Sequence, residues 1–152
     1  RVRMLELAMH EDPRFDVSTI EISRSGPSYT LHTLQHMARE LEDAEIWWVV
    51  GLDSLMSLHT WYHYEQFPKY ARLAVLPRPG QKITDADQLE DYVAEHLPMY
   101  VGHVDWIDMP LLEISSSSIR TWLHEGRSCR FLLPPAVWEY IQHQGLYKRR
   151  EF

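Results

Sequence analysis

The chain has 152 residues, of which 45% are hydrophobic and 12% aromatic. That is enough for one packed core and too short for two ordinary domains, so residues 1–152 are read as a single globular unit. Lys and Arg total 15 against 22 Asp and Glu, a formal charge of −7, and no basic stripe is long enough to follow a phosphodiester backbone, which argues against nucleic acid as a partner. Cys129 is the single cysteine and cannot form an intrachain disulfide, and no apolar run reaches the ~18 residues of a membrane span or the pattern of a signal peptide; a cytoplasmic protein without membrane contact is expected.

The chain opens on Arg1, already inside a helical pattern, which reads as part of a longer polypeptide. Met4, Leu5, Ala8 and Met9 recur at helical spacing, and Asp12-Pro13 closes this helix, because the residue before proline is pushed out of the α region. "FDVSTIEIS" (15–23) alternates Val17, Ile20 and Ile22 with polar residues imperfectly and is read as a strand with a slip. "SGPSYT" (25–30) is turn chemistry, with Ser28 or Thr30 available to cap a helix whose inward stripe is Leu31, Leu34, Met37, Ala38 and Leu41.

"EIWWVVGLDSL" (45–55) holds an unbroken apolar run from Ile46 to Val50, the mark of a parallel strand covered on both faces, with Gly51 and Asp53 at its carboxyl end. The aromatic cluster "TWYHYEQF" (60–67) leads into a second apolar strand within "ARLAVLPRPG" (71–80), broken by Pro77, Pro79 and Gly80. A helix over about 84–97 and a short strand over about 103–107 follow, and then the serine run of "EISSSSIR" (113–120). A helix from about 117 to 125 ends at Gly126; the last helix starts after Pro134-Pro135, carries Val137, Tyr140 and Ile141, and stops at Gly145. Alternating strands and helices predict an α/β fold with a mostly parallel, Rossmann-like doubly wound sheet. Ligands of such sheets bind beyond the carboxyl ends of strands, here near Gly51 to Asp53, Pro77 to Gly80 and Ile114 to Ser118.

Each candidate site residue has a plain structural alternative. The serines and Arg120 at a helix start form an anion site with phosphate as the natural guest, or else one serine caps the helix and the rest are surface. Trp61 and Tyr62, just past a strand end, offer rings for a flat heterocycle or pack the core. Asp53 can accept from ribose hydroxyls or cap the following helix, and Arg78 can hold an anion or lie solvated in its loop. The pairs His32/His36 and His59/His63 lack a third ligand at zinc-like spacing and are read as surface histidines; no metal site is expected. No G-x-S-x-G elbow, P-loop or Cys/His nucleophile pair is present.

Taken together, "EISSSSIR" (113–120) resembles the I-S-S-[ST]-x-I-R signature of the nucleotidyltransferase superfamily. With "GPSYT" (26–30), "WWVVGLDSL" (47–55), "TWYHYE" (60–65), "RPG" (78–80) and "LLPPAVWEYIQHQGLY" (132–147) in the same order, the chain resembles bacterial nicotinate-nucleotide adenylyltransferases from about Arg3 to Tyr147. The resemblance implies transfer of AMP from ATP to nicotinate mononucleotide, giving deamido-NAD and pyrophosphate in NAD biosynthesis, with Mg²⁺ accompanying ATP. It further implies that Trp61 and Tyr62 hold the nicotinate ring, that Ser28, Tyr29 and Thr30 form the loop around the mononucleotide, and that Asp53 is a substrate-binding acid. Ser116, Ser117, Ile119 and Arg120 fall on the ATP-phosphate segment, and Arg78 on a phosphate-side position. Residues 81–103 match no family segment.

The family's opening strand with its G-[TS]-F-D-P-x-H-x-G-H motif, whose histidines act on the triphosphate, is not among these residues. The domain is therefore expected to be incomplete at its amino terminus and this chain to be the acceptor-binding and carboxyl-terminal part of the enzyme, with no catalytic residue of its own. Two other readings stand beside this one: a truncated module that binds nucleotide without turnover, and a sibling adenylyltransferase acting on phosphopantetheine. Association into a homo-oligomer is left open.

Overall fold

The computed structural model describes residues 1–148. The sequence places all 152 residues in one nucleotidyltransferase-like domain; in the structure the chain gathers into two compact units, Ile20–Leu111 and a unit joining Arg1–Thr19 to the segment from Leu112 onward.

The Ile20–Leu111 unit is built on a three-stranded parallel sheet, β1 (Trp47–Gly51), β2 (Arg72–Leu76) and β3 (Val104–Trp106), in the order β1-β2-β3. β2 is central and paired on both edges, and its middle residues Leu73, Ala74 and Val75 are all buried, as an unbroken apolar run in a parallel sheet predicts. The same expectation fails at β1. Trp48 and Val50 face the core, whereas Trp47 and Val49 are 42% and 57% exposed, because β1 is the edge strand and its alternate side chains leave the core face. Arg72, paired in register with Trp47, covers that indole with its guanidinium 5.0 Å from the ring centroid. Arg72 also binds the Asp105 carboxylate at 2.6 Å and the Gly102 carbonyl at 2.8 Å, so one side chain ties together the starts of all three strands.

Around the sheet lie α2 (Ile20–Ser23), α3 (Thr30–Glu40), α4 (Leu52–Met56) and α5 (Ala86–His96). Leu31 and Leu34 of α3 are buried as predicted, while Leu41 lies past the helix end and is exposed. Asp85 caps α5 by accepting from the Gln88 amide at 2.9 Å. The predicted strand over 15–23 does not form: residues 15–19 are irregular and 20–23 make the single helical turn α2. Its apolar residues never alternate cleanly, and Phe15 and Ile22 end up exposed.

The other unit contains α1 (Val2–Met9), α6 (Ser116–His124) and α7 (Pro135–His143). Its core is Leu123, Cys129, Val137 and Ile141, with Met4, Leu7, Ile119 and Trp122 packed against it. Of the expected Met4, Leu5, Ala8 and Met9, Met4 packs on this core together with Leu7, whereas Leu5 and Ala8 are exposed. Cys129 is buried and free, so its part is packing.

Tyr100 is wholly buried against the first unit's core, and its hydroxyl donates to the Tyr64 carbonyl. Burial pushes this phenol well above its ordinary value of 10.0, with the neighbouring Tyr64 and Glu65 charges adding to the effect. In the unfolded chain the phenol ionises near 10.0, while the folded phenol keeps its proton to higher pH; its contribution to stability is therefore complete below pH 10.0 and is lost as pH rises above it. Tyr100→Phe is expected to cost about 1 kcal/mol at neutral pH through the lost hydrogen bond. It is also expected to make the alkaline fall in stability shallower, as read by urea unfolding in a pH series.

Candidate functional site

Parallel pairing puts the carboxyl ends of β1 and β2 side by side, with Gly51 opposite Leu76. Asp53 lies two residues beyond the first end and Arg78 two beyond the second, and the Arg78 Nε meets the Asp53 Oδ1 at 3.3 Å. Both side chains are more than half exposed, so the pair adds little to stability and its carboxylate and guanidinium face solvent. Gly51 explains itself here. Its backbone conformation is one that any residue adopts, but an added Cβ would stand 2.5 Å from Asp53 Oδ1 and 2.9 Å from Arg78 Nε. Glycine is required for the close approach of this pair, not for a turn.

The aromatic candidates separate into two roles. Trp61 is half-buried, 5.3 Å edge-on from Trp48, and packs on the core. Tyr62 is 43% exposed and stacks on Tyr29 with centroids 4.3 Å apart and planes inclined by 26°. His32 stands edge-on to both rings at 5.7 Å, one helical turn into α3. His63, directly after Tyr62, takes the left-handed conformation (φ 48°, ψ 42°), rare for a residue other than glycine, and turns the chain away. Its ring is within 3.1 Å of Glu65, and that residue's own backbone amide together with this contact holds the Glu65 carboxyl below its ordinary range.

Ser28 and Thr30 sit beside this cluster in sequence, yet neither caps α3. Tyr29 occupies the N-cap position without a side-chain bond, and Thr30 is the first helical residue. The Ser28 hydroxyl donates to the Glu21 carbonyl at 3.0 Å, while Thr33 donates to the Glu21 carboxylate at 2.8 Å, so α2 anchors the loop before α3. His32, read from the sequence as a surface histidine, is instead half-buried against these rings. Its signal was its position three residues after Tyr29 in a helix, which puts both side chains on one face.

In the other unit the four serines divide their work. Ser115 is the N-cap of α6, accepting from the Ser118 amide at 3.0 Å, with the two hydroxyls 2.8 Å apart. Ser116 and Ser117 form the exposed first turn, and the Arg120 Nη2 donates to Ser117 Oγ at 3.1 Å. Ile119 points the other way and packs on the core, with its amide bonded to the Ser115 carbonyl. A helix N-terminus with free-facing hydroxyls and an arginine favours anions. The Ile20–Leu111 unit presents the exposed Tyr29–Tyr62 ring pair and the exposed Asp53–Arg78 pair. Histidines 36 and 59 take no part in either set, and among the described residues no three of His, Cys, Asp and Glu lie together as metal ligands. No described helix is long and apolar enough to cross a membrane.

The cytidylyltransferase-like family model matches residues 1–122. A protein of Thermus thermophilus named "Probable nicotinate-nucleotide adenylyltransferase" is 39% identical over 148 residues, covering 97% of this chain and 72% of the relative. One of Synechococcus sp. with the same name is 37% identical over 147 residues, covering 97% of this chain and 69% of the relative. The structure of Plasmodium falciparum nicotinic acid mononucleotide adenylyltransferase complexed with APC superimposes with a TM-score of 0.71 at 18% identity, over 95% of this chain and 73% of that one, so the fold is shared as well. The chain is a member of the cytidylyltransferase-like family and, within it, of the nicotinate-nucleotide adenylyltransferases.

Proposed function

We propose that the chain serves AMP transfer from ATP to nicotinate mononucleotide, releasing pyrophosphate and forming deamido-NAD, as its acceptor-binding and carboxyl-terminal part. One observation carries the reading. A single unit holds both an exposed tyrosine platform, Tyr29 on Tyr62, and an acid–cation pair, Asp53 with Arg78, at the carboxyl ends of adjacent parallel strands. The rings suit the nicotinate group, Asp53 the ribose hydroxyls and Arg78 the acceptor phosphate. Trp61, edge-on to Trp48, packs on the core.

In this reaction an oxygen of the acceptor phosphate attacks the α-phosphorus of ATP. The bond to the bridging oxygen breaks, and pyrophosphate leaves with that electron pair. The nucleophile belongs to the substrate, so the protein supplies alignment and charge neutralisation rather than a covalent residue. Ser116, Ser117 and Arg120, with the start of α6, would take the ATP phosphates. The magnesium we assign is the one ATP carries on its phosphates, where it neutralises their charge; an ion bound mostly by substrate oxygens needs no three-residue protein cluster. A buried free thiol suits the cytoplasm.

Calorimetric titration of this chain with nicotinate mononucleotide tests the reading, with phosphopantetheine as the rival acceptor. Binding of the first and not the second is expected; no binding, or equal binding of both, overturns it. Pyrophosphate release from ATP and Mg²⁺ in the protein carrying this chain is expected with the same preference, and binding without release would mark a module that holds nucleotide without turnover. Tyr62→Ala is expected to weaken nicotinate mononucleotide by roughly tenfold, the worth of one ring stack, and to leave ATP affinity unchanged. Gly51→Ala is expected to stay within about 1 kcal/mol of the parent in thermal unfolding, because the groups it displaces are exposed side-chain ends, while losing most of its acceptor affinity.

A further inference from the structure

Tyr29 carries half of the ring platform, yet its own helix does little to hold it. It occupies the N-cap position of α3 in an extended conformation (φ −100°, ψ 136°) and makes no side-chain cap bond. A phenol has no short-stemmed oxygen to return to the amides of its own first turn, so the stack on Tyr62 and an ordinary cap cannot both come from this position. Tyr29 and Tyr62 are also 38% and 43% exposed, and core packing alone does not set their angle. Two bonds from outside α3 bracket Tyr29 instead, and both end on Glu21. The chain leaves α2, turns at Gly26 with φ 84°, and returns so that the Ser28 hydroxyl donates to the Glu21 carbonyl at 3.0 Å. One helical turn beyond Tyr29, the Thr33 hydroxyl donates to the Glu21 carboxylate at 2.8 Å. The residue before Tyr29 and the residue four after it are thus tied to one partner. Its carboxylate stands against the first turn of α3, where unpaired amides favour negative charge.

We propose that Glu21 is a positioning residue for the acceptor. Through Ser28 and Thr33 it sets the start of α3, and with it the angle at which the Tyr29 ring meets Tyr62. Glu21 itself meets the protein and not the substrate. The clamp supplies from α2 the restraint that a serine or aspartate at the N-cap would give, and leaves the capping position free to carry a ring. The inference rests on the proposed function for the identity of the acceptor, but not for the arrangement of the two rings.

Proton NMR of the free chain reads the stack directly, because each tyrosine lies in the ring current of the other. Glu21→Ala is expected to move the Tyr29 and Tyr62 ring resonances toward their unstacked positions. Thr33→Val, which removes the hydroxyl and keeps the shape, is expected to do the same, while Glu21→Gln retains an acceptor oxygen and is expected to keep the parent shifts. In calorimetric titration with nicotinate mononucleotide, Glu21→Ala is expected to bind about fivefold more weakly, the worth of one hydrogen bond, with Glu21→Gln near the parent. In a Tyr29→Ala background the same change is expected to cost nothing further, whereas a residue that only supports the fold would add its loss to that of the ring. Glu21 is exposed, so its variants are expected to melt close to the parent temperature. Unmoved ring resonances in Glu21→Ala, or a full additional loss of affinity in the Tyr29→Ala background, overturns the role. Should nicotinate mononucleotide not bind the parent chain, the proposed function fails, and the ring resonances still decide the role of Glu21.

Discussion

Parallel pairing of β1 with β2 is the constraint on which the acceptor half of the molecule depends. With Gly51 opposite Leu76, both strands end at the same level, and the chain leaves each into a different connection. Two positions on, Asp53 and Arg78 come within 3.3 Å although 25 residues separate them in sequence. A slip of one residue would turn every side chain of β1 to the opposite face and carry Asp53 away from Arg78. The core opposes that slip, because it would turn Trp48 and Val50 out of their packing and leave it to Trp47 and Val49. Core packing thus fixes a pair whose own attraction, at such exposure, is worth little.

Much of this was legible in the sequence. β2, β3, α5, α6 and α7 lie where apolar runs bounded by proline, glycine and capping residues put them, since those signals act within a few residues. What escaped depends on distance through space. The apolar run of β1 reads the same whether its strand is central or at an edge, so the exposure of Trp47 and Val49 could not be read from it. Residues 15–23 carry apolar side chains that never alternate cleanly, and they form an irregular stretch and a single helical turn. Asp53 and Arg78 were each legible as candidates, but their contact is a consequence of register. Trp61 and Tyr62 are neighbours of like chemistry, and only the fold sends one to Trp48 and the other to Tyr29.

The serine run shows local sequence and structure answering one question in different depth. A cap was expected, and Ser115 with Ser118 provides it in a reciprocal arrangement that uses both hydroxyls. Ser116 and Ser117 are not needed for the cap. Arg120 bonding Ser117 holds a cation over the first turn of the helix, where the backbone amides already carry partial positive charge. Ser117 therefore has a contact that a simple cap does not explain.

The net charge of −7 is no obstacle to anionic substrates, because affinity follows the local field rather than the sum. Arg120 and Lys148 border one hollow beside α6 and Arg127 and Lys148 another, and among the described residues no carboxylate lines either. Such an arrangement matches the chemistry of a reaction whose nucleophile and leaving group are both phosphates. Neither needs activation by a protein nucleophile; both need their charge balanced and their atoms held in line. Rings, hydroxyl donors and cations at strand and helix ends suit those tasks, because the bond-making oxygen arrives on the substrate.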